Sequence, residues 1–441
     1  MFGPRWSVSK IKRHRITRSG EGVVTTILGS EETIFVGLDI GTAKVCTLVG
    51  QAGADDRIRV IGAGDAPAQG MRKGGVVNLE ALSHAIRNSK DKAERTSGYE
   101  ITSALVSLTG AHISSLNSKG MTGVSGRTIG YDDVHRAVEA ARSVVIPYDR
   151  SIVHVIPRGY VVDGQDGIKS AIGMHGYRLE VEAHIVTASL TALRNLEKSI
   201  EAAGIQVDGW VLSSLASAGM VLTETEQEMG VMLCDIGAGT TDIAIYIEGA
   251  VWHTGVIPVG GEHLTSDIAQ VLHLPHETAE SAKRRHGHAR PRDLDPNQSF
   301  AVRPFGEEQP MELKRVDMAA VIEPRVEELF SLVRQEVKRS GYDGLLPAGV
   351  VITGGTSQLP GIKEVAAEVL HLPARTAQPE KLMGLVDRLQ SPSYATAHGL
   401  LHWAQILEED AGLESFHYSG IKFPKLSLEK ATEFLKRLLP G

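Results

Sequence analysis

Cysteine is nearly missing from this 441-residue chain. Only Cys46 and Cys234 are present, each inside an apolar run. Two thiols cannot staple a chain of this size, which excludes a disulfide framework and fits a reducing cytoplasm. Long apolar runs are lacking too. No stretch approaches the roughly 20 apolar residues that a membrane-spanning helix needs. Nor is there an excess of positive charge: 46 Lys and Arg stand against 53 Asp and Glu, for a formal net charge of −7. Nucleic acid is therefore not expected as a main partner.

What is present is ordinary for a globular protein. Hydrophobic residues make up 42% of the chain and charged residues 22%. The length suffices for two or three domains with cores of their own. The first 18 residues carry Arg5, Lys10, Lys12, Arg13, Arg15 and Arg18, with no acid before Glu21. No apolar segment follows that basic stretch, so a signal peptide is not expected. Residues 1–32 read as a disordered basic extension, with weak contact to an anionic surface such as acidic lipid as the alternative.

Hydrophobic patterning gives a mixed α/β chain. Residues 33–38 and 45–49 are apolar runs around Asp39-Ile40-Gly41-Thr42, the pattern of a β-hairpin. Residues 78–96 have helical spacing, with a polar start at Asn78 and Gly98 just past the end. A strand follows at 101–108, a helix at 131–145, strands at 152–156 and 183–187, and a helix at 191–203 closed by Gly204. From Gly230 a second unit begins: a strand at 231–233, a glycine-rich turn at 235–241 and strands at 243–247 and 251–256. Gly260-Gly261 then opens a helix to about 271. Residues 283–314 are polar and contain four prolines, so they read as loop-rich. Residues 316–338 read as helix, which Pro324 either starts or kinks. A strand at 349–353 meets Gly354-Gly355, helices follow at 361–370 and 394–407, and 408–427 reads as a linker.

One pattern occurs twice. In both halves an apolar strand ends in Asp, a tight small-residue turn follows, and a second strand begins: Asp39-Ile40-Gly41 and Asp235-Ile236-Gly237. Repeated sequence units imply repeated structure, and two like halves face each other across a cleft where ligands sit. Such turns expose backbone N–H groups to phosphate without side-chain obstruction. In the first, Gly41, Thr42 and Ala43 offer this and Lys44 adds a point charge. In the second, Gly237, Ala238, Gly239, Thr240 and Thr241 do the same. Asp39 and Asp235 would repel phosphate directly, but fit Mg²⁺ held between them and the phosphates through water. An ordinary hairpin with Asp at its turn explains either copy alone, though it explains the pair poorly. Both turns lead into strands, unlike the Rossmann fingerprint and the Walker loop, which lead into helices.

Further glycines complete the expected site. Gly354, Gly355 and Thr356 allow a flat group such as adenosine to lie against backbone. Gly260 and Gly261 precede a helix, and Glu280 and Lys283 share a helix face from which they would bracket ribose hydroxyls. A plain strand-to-helix turn and a solvated ion pair are the competing explanations.

In this arrangement the chain resembles the actin, Hsp70 and sugar-kinase superfamily. Within it, GLDIGTAKVCTLVG, LCDIGAGTTDIAIY, HVIP, VIPVGGEHLTSDIA, KRRHG, VIEPR, VITGGTSQLPG and SPSYATAHGLLHWA are similar to the FtsA family of bacterial cell-division proteins. The resemblance implies a two-lobed actin-like ATPase fold that binds ATP with Mg²⁺. Lobe 1 would comprise 33–96 and 188–229, with an exchanged small subdomain inserted at 97–187. Lobe 2 would have core segments 230–262 and 332–384 and a small subdomain at 263–331, and 385–407 would return to lobe 1. The resemblance also implies self-assembly into a polymer, and docking of the C-terminal peptide of the tubulin-like FtsZ on 263–331, with Arg325 as a contact. Other division proteins would be recruited at the septum, on the cytoplasmic face of the inner membrane. Any hydrolysis would be slow, and no catalytic residue is identified. A sugar-kinase-type phosphotransferase is the enzymatic alternative, but it needs a dedicated carboxylate base that the sequence does not single out.

The C-terminal segment 428–441 is readable on its own. On a helix, Leu428, Ala431, Phe434, Leu435, Leu438 and Leu439 form one continuous apolar arc, and Lys436 and Arg437 flank it. That pattern suits an amphipathic helix lying in an anionic lipid interface, with a helix docked on its own domain as the alternative.

Overall fold

The computed structural model describes residues 33–53, 57–307, 309–380, 383–384 and 389–411. The basic extension, residues 412–427 of the expected linker and the amphipathic segment 428–441 lie outside the described residues, while residues 408–411, expected as linker, continue the last helix.

The chain opens with three antiparallel strands, β1 (Ile34–Ile40), β2 (Lys44–Ala52) and β3 (Ile58–Pro67), then a short hairpin of β4 (Met71–Arg72) and β5 (Gly75–Val76). Helix α1 (Leu79–Ser97) starts where the Asn78 side chain accepts from the Ala81 N–H at 3.0 Å and ends at Gly98, whose φ of 75° only glycine adopts freely. Strand β6 (Ser103–Leu108) follows. Next come β7 (Ile113–Gly123), α2 (Tyr131–Arg142), β8 (Arg150–Val162), β9 (Gln165–Ile168) and β10 (Arg178–Ser189). The chain then continues through α3 (Leu190–Ala202), β11 (Gln206–Leu212), α4 (Ser213–Val221) and α5 (Glu224–Met229).

The second half repeats the opening with β12 (Val231–Ile236), β13 (Thr241–Ile247) and β14 (Ala250–Ile257). After it come α6 (Gly261–Val271), α7 (His276–His286), β15 (Ser299–Val302), β16 (Met311–Lys314), α8 (Arg315–Ser340), β17 (Val350–Thr353), α9 (Ile362–Leu370), β18 (Ala374–Thr376), β19 (Met383–Gly384) and α10 (Ala395–Ala411).

Two of the sheets are copies in topology. One runs β11-β6-β1-β2-β3-β19, the other β18-β17-β12-β13-β14. In each, the central strand pairs antiparallel with the next strand in sequence and parallel with a later one: β1 with β2 and β6, β12 with β13 and β17. The parallel pairing needs a crossover; α1 supplies it in the first half. Helices α4 and α10 cross tightly, since a Cβ at Gly399 would fall on the Ala216 carbonyl. The buried residues of both helices share one core with β1, β2 and β6, and with Leu233, Ala244 and Val351 of the second sheet. The opposite face of the second sheet packs with α6, α8 and α9 in a separate core.

The third sheet, β7-β10-β8-β9, has its own core with α2. It starts after β6, which lies inside the first sheet. Glycine allows the helix to approach: a Cβ at Gly120 of β7 would fall on the Ala137 carbonyl of α2. This layer also leans on the second half. Ser115 Oγ donates to the Thr254 carbonyl at 2.7 Å, and His184 Nε2 lies 2.9 Å from Thr254 Oγ1. The Arg158 guanidinium stands 4.1 Å from the centre of the Trp252 ring, and Lys169 pairs with Glu228 at 2.5 Å. Burial holds His184 well below its usual range, at about 3, so this contact is made by a neutral ring.

Candidate functional site

The two hairpins have the same register. Ile40 pairs with Val45 and Asp39 with Cys46; Ile236 pairs with Thr241 and Asp235 with Asp242. Each turn closes the same way, with Gly41 N–H donating to Lys44 O and Gly237 N–H donating to Thr240 O, both at 2.9 Å. The N–H groups of Thr42, Ala43, Ala238 and Gly239 have no partner among the described residues. The turns touch: a Cβ added at Gly239 would lie 2.5 Å from Thr42 Oγ1.

Strands in register place partner side chains on one face, so each sheet presents a rank of three. In the first sheet the rank is Cys46, Asp39 and Ser107. Ser107 Oγ donates to Asp39 Oδ1 at 2.8 Å and accepts from the Ile40 N–H at 3.0 Å. In the second it is Asp242, Asp235 and Thr353. Thr396 Oγ1, from α10, donates to Asp235 Oδ2 at 3.0 Å. Asp242 Oδ2 accepts from Thr109 Oγ1 at 2.7 Å and Thr240 Oγ1 at 3.3 Å, while Asp242 Oδ1 and Thr353 Oγ1 are buried with no partner.

Burial sets the electrostatics. It raises Asp39 above the usual carboxylate range, against the pull of Lys44 and Ser107. It pushes Asp235 up to about 6 and, with the Asp235 charge adding to it, Asp242 up to about 8. Burial also lowers Lys44, while Cys46, Asp39, Asp65 and Asp235 work in the other direction. Lys44 Nζ sits 3.2 Å from the centre of the Tyr394 ring and 3.4 Å from Ser393 Oγ.

The remaining predicted residues gather around the second turn. Gly354 has φ 85°, and a Cβ there would fall on Asp235 Oδ1 and lie 2.5 Å from Ile236 O. Gly355 is roomier, with Ser393 Cβ at 3.6 Å. The Gly260-Gly261 pair backs the turn. Gly261 N–H donates to Gly237 O at 2.9 Å, Glu262 N–H to Ala238 O at 2.8 Å, and Thr356 Oγ1 to Gly237 O at 2.8 Å. These contacts orient the turn's carbonyls away from its N–H groups. Glu280 and Lys283 pair at 2.6 Å, with the Lys283 side chain largely covered and that of Glu280 41% exposed. Lys283 Nζ also reaches Gly261 O at 2.8 Å and Thr265 Oγ1 at 2.7 Å. Burial raises Glu280, but Lys283 and Thr265 bring it below its ordinary value.

Arg325 stands apart from this cluster. Its guanidinium makes a bidentate pair with Asp267 of α6, at 2.6 and 2.9 Å, and also pairs with Glu328. The membrane-type residues Leu428, Ala431, Phe434, Leu435, Lys436, Arg437, Leu438 and Leu439 lie outside the described residues. A separate hollow of about 530 Å³, lined by Glu228, Glu248, Leu345 and Pro347 among others, contains none of the cleft residues. Among the described residues no group of three or more His, Cys, Asp or Glu side chains forms a ready metal cage, and no helix is long and apolar enough to cross a membrane.

Residues 110–187 match the family model described as the SHS2 domain inserted in FtsA, and residues 232–399 match that of the cell division protein FtsA. Over 412 residues the chain is 43% identical to the cell division protein FtsA of Pseudomonas aeruginosa, covering 92% of this chain and 98% of that one. The chain belongs to the FtsA family of cell division proteins. FtsA of Escherichia coli K12 is 39% identical over 86% of this chain and 92% of its own length, and FtsA of Bacillus subtilis is 38% identical over 84% and 83%. Among solved structures the fold is similar to the PilM-PilN type IV pilus biogenesis complex, with a TM-score of 0.61 at 17% identity over 83% of this chain and 97% of that one. It is also similar to MreB5 of Spiroplasma citri bound to ADP, with a TM-score of 0.53 at 15% identity over 86% and 98%. The fold is thus the actin-like one expected from the sequence, and the protein is an actin-like cell division protein.

Several cleft residues of this FtsA-family chain escaped the sequence reading, among them Ser107 and Thr396, which hold Asp39 and Asp235. Asp242 had a signal, since it stands opposite Asp235 across a hairpin whose register the turn fixes. Thr109 and Tyr394 reach the site only through the tertiary fold.

Proposed function

We propose that this FtsA-family chain binds ATP with Mg²⁺ in the cleft between the two hairpins, polymerises, and tethers the FtsZ ring to the cytoplasmic face of the inner membrane at the septum, where it recruits later division proteins. The observation that carries the nucleotide part is the pair of turns in identical register. Each offers N–H groups with no partner among the described residues beside a carboxylate that is buried or half-buried. Anions bind at such nests of N–H groups. MreB5 of Spiroplasma citri, whose fold is similar, is bound to ADP in its crystal structure.

The residues fit a divalent cation. Asp235 and Asp242 are buried carboxylates and Asp39 is half-buried, and Asp242 Oδ1 and Thr353 Oγ1 have no partner. With no direct cage among the described residues, Mg²⁺ would be held by phosphate oxygens and waters, with Asp39 and Asp235 orienting those waters. When bound it neutralises phosphate charge. Lys44 supplies a cation from the first lobe, and Gly354, Gly355 and Thr356 form the wall for the adenosine side. Glu280 and Lys283 stand at the ribose side, beyond the Gly260-Gly261 pair.

The tether rests on the amphipathic pattern of 428–441, whose apolar arc and flanking basic residues suit anionic lipid. A single short helix anchors weakly, so polymerisation would strengthen attachment through multivalency. The FtsZ C-terminal peptide would dock on the small subdomain at 263–331, where Arg325 links α6 to α8. Titration of Mg-ATP into Asp235→Ala and Asp39→Ala tests the cleft. Each variant should keep its fold and bind at least tenfold more weakly; unchanged affinity in both would remove the nucleotide from between the hairpins.

A further inference from the structure

We propose that Tyr394 is a positioning residue for Lys44, its ring face holding the ammonium at the cleft with the positive charge left free to meet phosphate. This rests on the reading that Lys44 contributes to phosphate binding. Lys44 is the first residue of β2, so its backbone is fixed by the hairpin, but four rotatable bonds separate its Nζ from that anchor. Placing an ammonium on such a stem costs rotamer entropy. Something must hold it.

Carboxylates are the obvious candidates, yet among the described residues Lys44 forms no ion pair. Asp39, Asp65 and Asp235 act on it only at a distance. The group in contact is Tyr394, with Nζ 3.2 Å from the ring centre, helped by Ser393 Oγ at 3.4 Å. The distinction matters chemically. A carboxylate at contact distance would neutralise the ammonium and compete with an incoming phosphate. An aromatic face attracts a cation through its quadrupole and carries no net charge, so the lysine is held and stays available.

The ring is itself on a firm support. Ser391 Oγ lies 3.0 Å from Ser393 Oγ and accepts from the Ser393 N–H at 3.3 Å, fixing the turn that leads into α10. Two residues beyond Tyr394, Thr396 Oγ1 donates to Asp235. Helix α10 then docks closely on β1, with a Cβ at Gly37 falling 2.8 Å from Leu400 Cβ. One short segment therefore touches Lys44 of the first hairpin and Asp235 of the second.

The test changes the ring's electron density without changing its shape. Phenylalanine and pentafluorophenylalanine are each placed at position 394 of the full chain, and Mg-ATP affinity is measured by calorimetry, with the melting temperature as a fold control. The Tyr394→Phe protein should bind within about twofold of the unmodified protein. The fluorinated form should bind about tenfold more weakly, the range of a desolvated cation–π contact. In a Lys44→Ala background, fluorination should have no effect. Equal affinity of the phenylalanine and pentafluorophenylalanine forms, with Lys44→Ala impaired, would overturn the role of Tyr394. Lys44→Ala binding Mg-ATP normally would instead overturn the phosphate role of Lys44, and this inference with it.

Discussion

Gly354→Ala and Gly355→Ala differ by one position and are expected to behave oppositely. Gly354 sits where β17 ends, at φ 85°. At φ 85° and ψ 168° the backbone is essentially reserved for glycine, and an L-residue there pays about 1–3 kcal/mol. The added methyl would also fall on Asp235 Oδ1 and press to 2.5 Å from Ile236 O and 2.7 Å from Ile236 N. Neither neighbour is the far end of a flexible chain: Ile236 is strand backbone, and Asp235 is held by Thr396. Relieving the contact means shifting β12 against β17, an overpacking cost of about 1–3 kcal/mol. Together the loss is about 2–6 kcal/mol, enough to lower the melting temperature by several degrees. Gly355 meets only Ser393 Cβ, at an ordinary 3.6 Å. Its alanine variant should melt like the unmodified protein, while Gly355→Val should fold yet bind ATP poorly by filling the adenosine side. Differential scanning calorimetry of the two alanine variants decides the matter. Equal melting temperatures would refute the close approach of Gly354 to Asp235.

The buried carboxylates make stability fall with rising pH in the absence of Mg²⁺ and nucleotide. Asp235 at about 6 and Asp242 at about 8 hold their protons more tightly folded than unfolded. Their contribution is complete below the ordinary carboxylate range and is lost as pH rises through 6 and then 8. Burial holds His112, His154 and His398 down at about 4 and His184 at about 3, which acts in the opposite direction below about pH 6.5. Urea midpoints should therefore decline from pH 7 to 9, and Asp242→Asn should flatten that decline; a flat profile for the unmodified protein there would contradict the burial of Asp242. Trp252→Ala removes the ring under Arg158 and should cost about 2–4 kcal/mol, loosening the inserted sheet from the second lobe. Hydrogen exchange should show faster exchange in β7 and β10, and unaltered protection there would argue against that contact. Leu435→Glu removes an apolar contribution of about 1.5–3 kcal/mol from the tail and adds a charge that anionic lipid disfavours. It should no longer co-sediment with anionic vesicles, whereas Lys436→Glu should weaken binding mainly at low salt. Full binding by Leu435→Glu would exclude that helix as the anchor.

The legible parts of the fold were those whose signals are local. Asn78 and Gly98 bracket α1 because capping and left-handed termination act within one turn. The two Asp-ended hairpins were legible because strand, turn and strand are contiguous. Strand β7 was not, since Ile113 and Gly120 are its only buried residues and its sequence carries no apolar alternation. The β15–β16 hairpin was hidden for a similar reason: four-residue strands in a proline-rich stretch bury only Phe300, Val302 and Leu313. Helix α8 continues across Pro324 from Arg315 to Ser340, so the proline does not start it. Ile322, Val326, Leu329 and Phe330 keep one buried face across it. At the site, sequence reasoning found the turns, but not that Gly260-Gly261 braces the second turn from behind, nor that Tyr394 carries Lys44. Those facts depend on which distant segments meet.

The central claim is that one metal–nucleotide complex is held by both hairpins at once. A crystal structure of the full chain with a slowly hydrolysed ATP analogue and Mn²⁺ in place of Mg²⁺ tests it most directly, because the anomalous signal of Mn²⁺ locates the metal without reference to the protein. The metal should lie roughly 4–5 Å from the carboxylates of both Asp39 and Asp235, the reach of one intervening water, with the phosphates against the N–H groups of Thr42, Ala43, Ala238 and Gly239. A metal bound near only one of the two aspartates, or a nucleotide seated outside the cleft between the turns, would contradict the account.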